Sequence, residues 1–234
     1  MYPTKRHHSI LLITVLAVGI FVVGAIPDAV AGFKMRLTDG IGSVTVEDGS
    51  AGDAVPGLAG LVGFSGSVGG FAVNITTGTS KPLTGSANHP ELSLVSLQTA
   101  GTGVLTIELT DTDFVWGTPT GSFNNFINSA FPDTQTVTYA SYIDSSNAEF
   151  GQEQNVTILG PASGVFDLAG RGIVTSESPF SATMVITLDH SGLKQYSQFD
   201  ASMSSTPEPS SFILFGSGLV GLVFFVRRRK KTQN

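Results

Sequence analysis

Residues 183–188 read Thr183-Met184-Val185-Ile186-Thr187-Leu188, with Met184, Ile186 and Leu188 at every second position. Successive side chains of a strand point to opposite faces, so a period of two lays one apolar face against a core. The same pattern places Phe71, Val73 and Ile75 between Ala72, Asn74 and Thr76, and Leu105, Ile107 and Leu109 between Thr106, Glu108 and Thr110. Further strands are expected at residues 34–38, 43–47, 91–100, 135–143, 155–159, 164–168 and 172–176. No stretch of twelve residues between the chain's two greasy ends carries a helical period. About ten short strands with Gly-rich joints predict an all-β fold, an antiparallel two-sheet sandwich of jelly-roll-like form.

Composition agrees with that reading. Residues 32–206 hold 43 Ser plus Thr and 23 Gly. Gly supplies positive φ, and Ser and Thr satisfy the backbone groups of tight turns. The 175 residues of this segment suffice for one domain with a real core. Five basic residues (Lys34, Arg36, Lys81, Arg171 and Lys194) stand against 16 acidic ones, a net charge of −11. So acidic a surface disfavours nucleic acid, whose phosphates need Lys and Arg. There is no cysteine, which removes thiol nucleophiles, Cys-based zinc sites and disulfides together.

Both ends read as export signals. Lys5 and Arg6 precede an apolar run over residues 10–23, and Ala29-Val30-Ala31 forms a small-residue cleavage site before Gly32. Residues 1–31 are therefore expected to be a cleaved signal peptide, with cleavage specified by Ala29 and Ala31. At the other end Pro207-Glu208-Pro209 cannot continue a helix or a central strand, since proline lacks an N–H. An apolar run of 15 residues (212–226) follows, about 22 Å as a helix. Arg227, Arg228, Arg229, Lys230 and Lys231 close it as a membrane stop that marks the cytoplasmic side.

This tripartite tail (residues 207–231) resembles the PEP-CTERM sorting signal of Gram-negative bacteria that make extracellular polysaccharide. The resemblance rests on Pro207, Glu208, Pro209 and Ser210, the Gly-interrupted apolar run and the basic end. It implies recognition by exosortase, a membrane-embedded, cysteine-dependent transpeptidase that cuts near the Pro-Glu-Pro motif. The precursor is then membrane-anchored through its C-terminal helix, and residues 32–206 form an exported domain of the cell envelope or extracellular matrix.

Within that domain the motifs are sparse. Gly216-Ser217-Gly218-Leu219-Val220-Gly221 spells a dinucleotide fingerprint but lies inside the apolar tail, without the βαβ unit the fingerprint requires. Asp111 and Asp113 end a strand two residues apart and could share a Ca²⁺ with loop carbonyls, although the EF-hand pattern fails. Trp116 offers a flat apolar face to a sugar ring. Tyr139 and Tyr142 are an odd number of residues apart and should face opposite ways. His89 and His190 are expected in solvated turns, and neither a G-x-S-x-G elbow nor an H-E-x-x-H motif occurs. Residues 202–206 read as a polar tether. The leading expectation is a non-enzymatic, exosortase-processed structural protein of the polysaccharide matrix. Second comes a carbohydrate-binding or adhesive module, and third a polysaccharide-active enzyme built on two facing carboxylates.

Overall fold

The computed structural model describes residues 32–116, 120–132 and 135–206. The expected signal peptide (including Ala29 and Ala31), the Pro-Glu-Pro motif, the apolar run 212–226 and the basic end lie outside the described residues. Ten strands follow one another: β1 (Lys34–Thr38), β2 (Ser43–Glu47), β3 (Leu61–Val68), β4 (Phe71–Thr79), β5 (Glu91–Phe114), β6 (Thr120–Ser129), β7 (Thr136–Asp144), β8 (Gln154–Ala162), β9 (Phe166–Thr175) and β10 (Phe180–Ser205). Every pairing among them is antiparallel. Among the described residues no helix is long and apolar enough to cross a membrane.

Two strands organise the rest. β5 has 24 residues and β10 has 26, and they pair with each other from Phe114↔Phe180 to Glu91↔Ser204. Their outer neighbours change along their length. β1 lies beside residues 106–110 of β5, whereas β4 lies beside residues 93–100. β7 lies beside residues 181–189 of β10, whereas β6 lies beside residues 200–205. With β2, β3, β8 and β9 added at the edges, one half-sheet runs β2-β1-β5-β10-β7-β8 and the other β3-β4-β5-β10-β6-β9.

The turn from one half to the other is visible in the register. His190 pairs with Gly103 and Gln195 with Gly101, so residues 191–194 lie opposite Thr102 alone. A bulge bends and twists the strand that carries it. Gly103 takes φ 102°, a backbone region that residues with a Cβ avoid. Inward positions of β10 change parity across this break, from Met184, Ile186, Leu188 and His190 to Ser197, Phe199, Ala201 and Met203. The two halves then pack face to face over one hydrophobic core. A Cβ built on Gly78 of β4 would stand 2.4 Å from Leu109 Cδ1 of β5, which fixes how closely the layers approach.

The expected all-β, antiparallel sandwich has its ten strands, but one continuous sheet folded on itself forms both layers, which corrects the expectation of two sheets in jelly-roll-like form. It differs from a pair of separate sheets built of short strands, because residues 91–100 and 105–110 belong to one continuous strand. The expected strands at 164–168 and 172–176 likewise merge into β9. β3 and β6 were not legible: in β6 the inward positions are Phe123, Asn125, Ile127 and Ser129, so polar residues interrupt the apolar period. Residues 202–205, expected as a tether, are the last rungs of β10, paired on both sides.

The β7–β8 connection folds back over the outer face of the first half. Phe150 N–H donates to Thr110 Oγ1 at 3.1 Å, and Ser181 Oγ donates to the Ala148 carbonyl at 2.7 Å. Beneath it, Arg36 Nε donates to Glu108 Oε2 at 2.5 Å while the guanidinium lies 4.1 Å from the centre of the Phe150 ring. This cover explains why Glu108, Thr110, Ser181 and Thr183 are buried on a face that would otherwise meet water.

Candidate functional site

The most unusual chemistry of the domain lies where the chain leaves β4. Lys81 and Asp111 are 7% and 0% exposed, and Lys81 Nζ stands 2.8 Å from Asp111 Oδ2. Ser80 Oγ donates to the same Oδ2 at 2.5 Å, and Thr112 N–H donates to Oδ1 at 2.8 Å. Lys81 Nζ also donates to the Thr112 carbonyl and sits 4.1 Å from the centre of the Phe114 ring. Burial pushes the Asp111 carboxyl above its ordinary range, opposed by the Lys81 charge and by these hydrogen bonds. Nothing in the sequence marks Lys81, because it lies outside every periodic segment.

That arrangement separates the two carboxylates read as a calcium pair. Asp111 faces inward as the partner of Lys81. Asp113 takes φ 61° at an irregularity in the β5–β10 register and faces solvent. There its carboxylate accepts from Asn147 Nδ2 at 2.8 Å and from Thr112 Oγ1 at 2.9 Å. Among the described residues no group of three or more His, Cys, Asp or Glu gathers as metal ligands.

Trp116 is engaged with protein rather than held out as a platform. Its ring centroid lies 4.5 Å from that of Phe180 and 5.5 Å from that of Phe123. A Cβ on Gly121 would meet the indole at 2.4 Å, so glycine there makes room for the ring. Trp116 thus closes one end of the core where β5 ends and β6 begins. Tyr139 and Tyr142 do face opposite ways. Tyr139 is fully buried, with its hydroxyl 2.7 Å from Asn125 Oδ1, and Tyr142 lies on the half-exposed face.

The histidines divide. His89 is exposed in a loop, as expected. His190 corrects the expectation of a solvated turn: it is fully buried at the bend of β10. Its Nε2 lies 2.7 Å from Ser197 Oγ, its Nδ1 3.3 Å from the Gly101 carbonyl, and its ring 5.4 Å from Phe71. Asp189 next to it points outward and accepts from Ser191, so no carboxylate orients the imidazole as a triad requires. Burial holds the His190 pKa below its ordinary value.

The chain's last described residues form a second site of interest. Ser205 N–H donates to the Pro90 carbonyl and Thr206 N–H to the Ser122 carbonyl, each at 2.8 Å. The sheet therefore holds the backbone up to the residue before Pro207.

Fold and site together define an acidic, cysteine-free, antiparallel β-sandwich whose final strand runs into a C-terminal signal. Residues 205–230 match the PEP-CTERM protein-sorting motif. No curated protein matches the chain. Among solved structures, the K1 cleaved adhesin domain of Lys-gingipain from Porphyromonas gingivalis is 9% identical, with a TM-score of 0.30 over 67% of this chain and 88% of that one. A carbohydrate-binding module of the β-sandwich superfamily is 14% identical, with a TM-score of 0.29 over 75% of this chain and 72% of that one. Tailspike protein 4 of bacteriophage CBA120 is 10% identical, with a TM-score of 0.32 over 65% of this chain and 20% of that one. Likenesses this distant say nothing of what the present chain binds.

Proposed function

We propose that this chain is an exported, non-enzymatic cell-envelope protein whose tail is handled by exosortase and whose β-sandwich serves the extracellular polysaccharide matrix. The carrying observation is the sorting motif over residues 205–230, which begins on the last residue of β10. In this reading Pro207, Glu208 and Pro209 are the recognition element, because the prolines hold an extended segment that a protease groove accepts. Residues 212–226 hold the precursor in the membrane, and Arg227 to Lys231 keep its end on the cytoplasmic face. The acidic sandwich is the delivered cargo, and its partner beyond exosortase is polysaccharide.

The test replaces Pro207, Glu208 and Pro209 with alanine in the full chain in its native host. The C-terminus of the recovered protein is then read by mass spectrometry. Loss of processing, with the tail retained through Asn234, is the expected result. An unchanged mature C-terminus overturns the sorting reading.

A further inference from the structure

A lysine and an aspartate buried against each other can remain an ion pair or can condense. We propose that Lys81 and Asp111 become joined by an intramolecular amide bond, a covalent staple in a domain that has no cysteine.

The geometry supplies each part the condensation needs. The amine is already at the carboxyl group, with Nζ 2.8 Å from Oδ2, and both side chains are buried. Fixing two reactants in this way replaces a bimolecular encounter with an intramolecular one. Burial disfavours the charged form of the Asp111 carboxyl, and the proton it takes from Lys81 Nζ at the start of the reaction leaves a free amine facing a neutral acid. The Phe114 ring against Nζ adds to that apolar enclosure. Asp111 Oδ1 accepts the Thr112 N–H at 2.8 Å, the position of a backbone donor that stabilises negative charge developing on a carbonyl oxygen. Asp111 Oδ2 accepts from Ser80 Oγ at 2.5 Å, which places a hydroxyl donor on the oxygen that must leave.

The step balances without a co-reactant. Lys81 Nζ passes one proton to Asp111 Oδ2, and its lone pair then attacks Cγ, forming the N–C bond. The carbonyl π pair moves onto Oδ1, where the Thr112 N–H holds it. A second proton passes directly from Nζ to Oδ2, its neighbour at 2.8 Å, and the Cγ–Oδ2 bond breaks as the pair on Oδ1 re-forms the carbonyl and water leaves. Ammonium plus carboxylate become one amide and one water; nothing is oxidised or reduced. The remaining amide N–H keeps the Thr112 carbonyl as its acceptor.

The bond would tie the segment after β4, in one half-sheet, to the end of β5 in the other. That is the service a disulfide gives in an oxidising compartment.

The full-chain protein, purified from its host and denatured, is digested with a protease that cuts after glutamate. Cleavage at Glu47, Glu91, Glu108 and Glu149 puts Lys81 in residues 48–91 and Asp111 in residues 109–149. Mass spectrometry is expected to find these two as one branched species lighter by one water than their sum, absent from Asp111→Ala. Recovery of the two linear peptides alone from the unmutated protein overturns the proposal. That readout comes from the unmutated chain after denaturation, so it does not depend on whether Asp111→Ala folds.

Discussion

The Tyr139 hydroxyl reaches across the sandwich to Asn125 Oδ1 at 2.7 Å, joining β7 of one half-sheet to β6 of the other. Ser141 Oγ donates to the same oxygen at 2.9 Å, and the Ser202 carbonyl lies 3.2 Å from the tyrosine oxygen. A fully buried amide is thus satisfied by a tyrosine and a serine two residues apart on one inward face. Asn125→Ala strips both hydroxyls of their shared acceptor. A loss of about 1–3 kcal/mol is expected by urea unfolding, since buried polar groups without partners retain their desolvation cost. Tyr139→Phe, which leaves Ser141 on Asn125, is expected to cost about 1 kcal/mol. Equal losses in the two variants would mean that Asn125 does not serve both partners.

Gly78 sets the spacing between the layers. A methyl there would meet Leu109 Cδ1 at 2.4 Å and Cδ2 at 3.0 Å, both in the closed core. Gly78→Val is expected to cost at least about 1–3 kcal/mol through overpacking. Gly40 provides the contrast: it is exposed at φ 86° with nothing within 4 Å of a built Cβ. Gly40→Ala therefore meets only the backbone penalty of a left-handed residue, about 1–2 kcal/mol. Repacking of Leu109 in a Gly78→Val structure with no loss of stability would count against the tight layer spacing.

His190 makes the fold acid-sensitive. Its Nε2 accepts from Ser197 and its Nδ1–H points at the Gly101 carbonyl, an arrangement that suits the neutral ring. Burial lowers its folded-state pKa; the Gly101 carbonyl and the Asp189 charge oppose that in part. The unfolded chain, with a histidine pKa of about 6.5, binds the proton first as pH falls. Stability is therefore expected to decline as pH drops below about 6.5 and to level off once the folded-state pKa is passed. Urea midpoints measured from pH 8 to pH 4.5 check this. His190→Gln should flatten the decline relative to the unmutated protein; an unchanged slope would assign the effect to another group.

Trp116 plugs the core beside Phe123 and Phe180. Trp116→Ala is expected to cost about 3 kcal/mol, the lower end for such truncations because the indole is only partly buried. Indole fluorescence that shifts to the red cooperatively with unfolding would report the same burial. A variant as stable as the parent would show that the indole lies free of the core.

Alternation at 71–73, 105–109 and 184–188 was legible because one face of each strand meets a continuous core, and the bounds of β1 and β2 were read to the residue. β6 was hidden because Asn125 and Ser129 occupy inward positions, where their polarity is tolerated only through partners from elsewhere in the fold. His190 is hidden because Asp189 and Ser191 beside it have the composition of a turn, while its burial depends on the β5–β10 bulge and on the Gly101 carbonyl 89 positions away.

The amino-acid order alone determined the all-β class, the acidic character of the domain and the sorting tail, because each follows from local period, composition or contiguous motif. Tertiary structure alone decided that two strands bend through both layers, that Asp111 belongs to Lys81 rather than to Asp113, and that Trp116 closes a core. Those facts depend on side chains brought together by strand pairing over tens of residues, and local spacing carries no record of them.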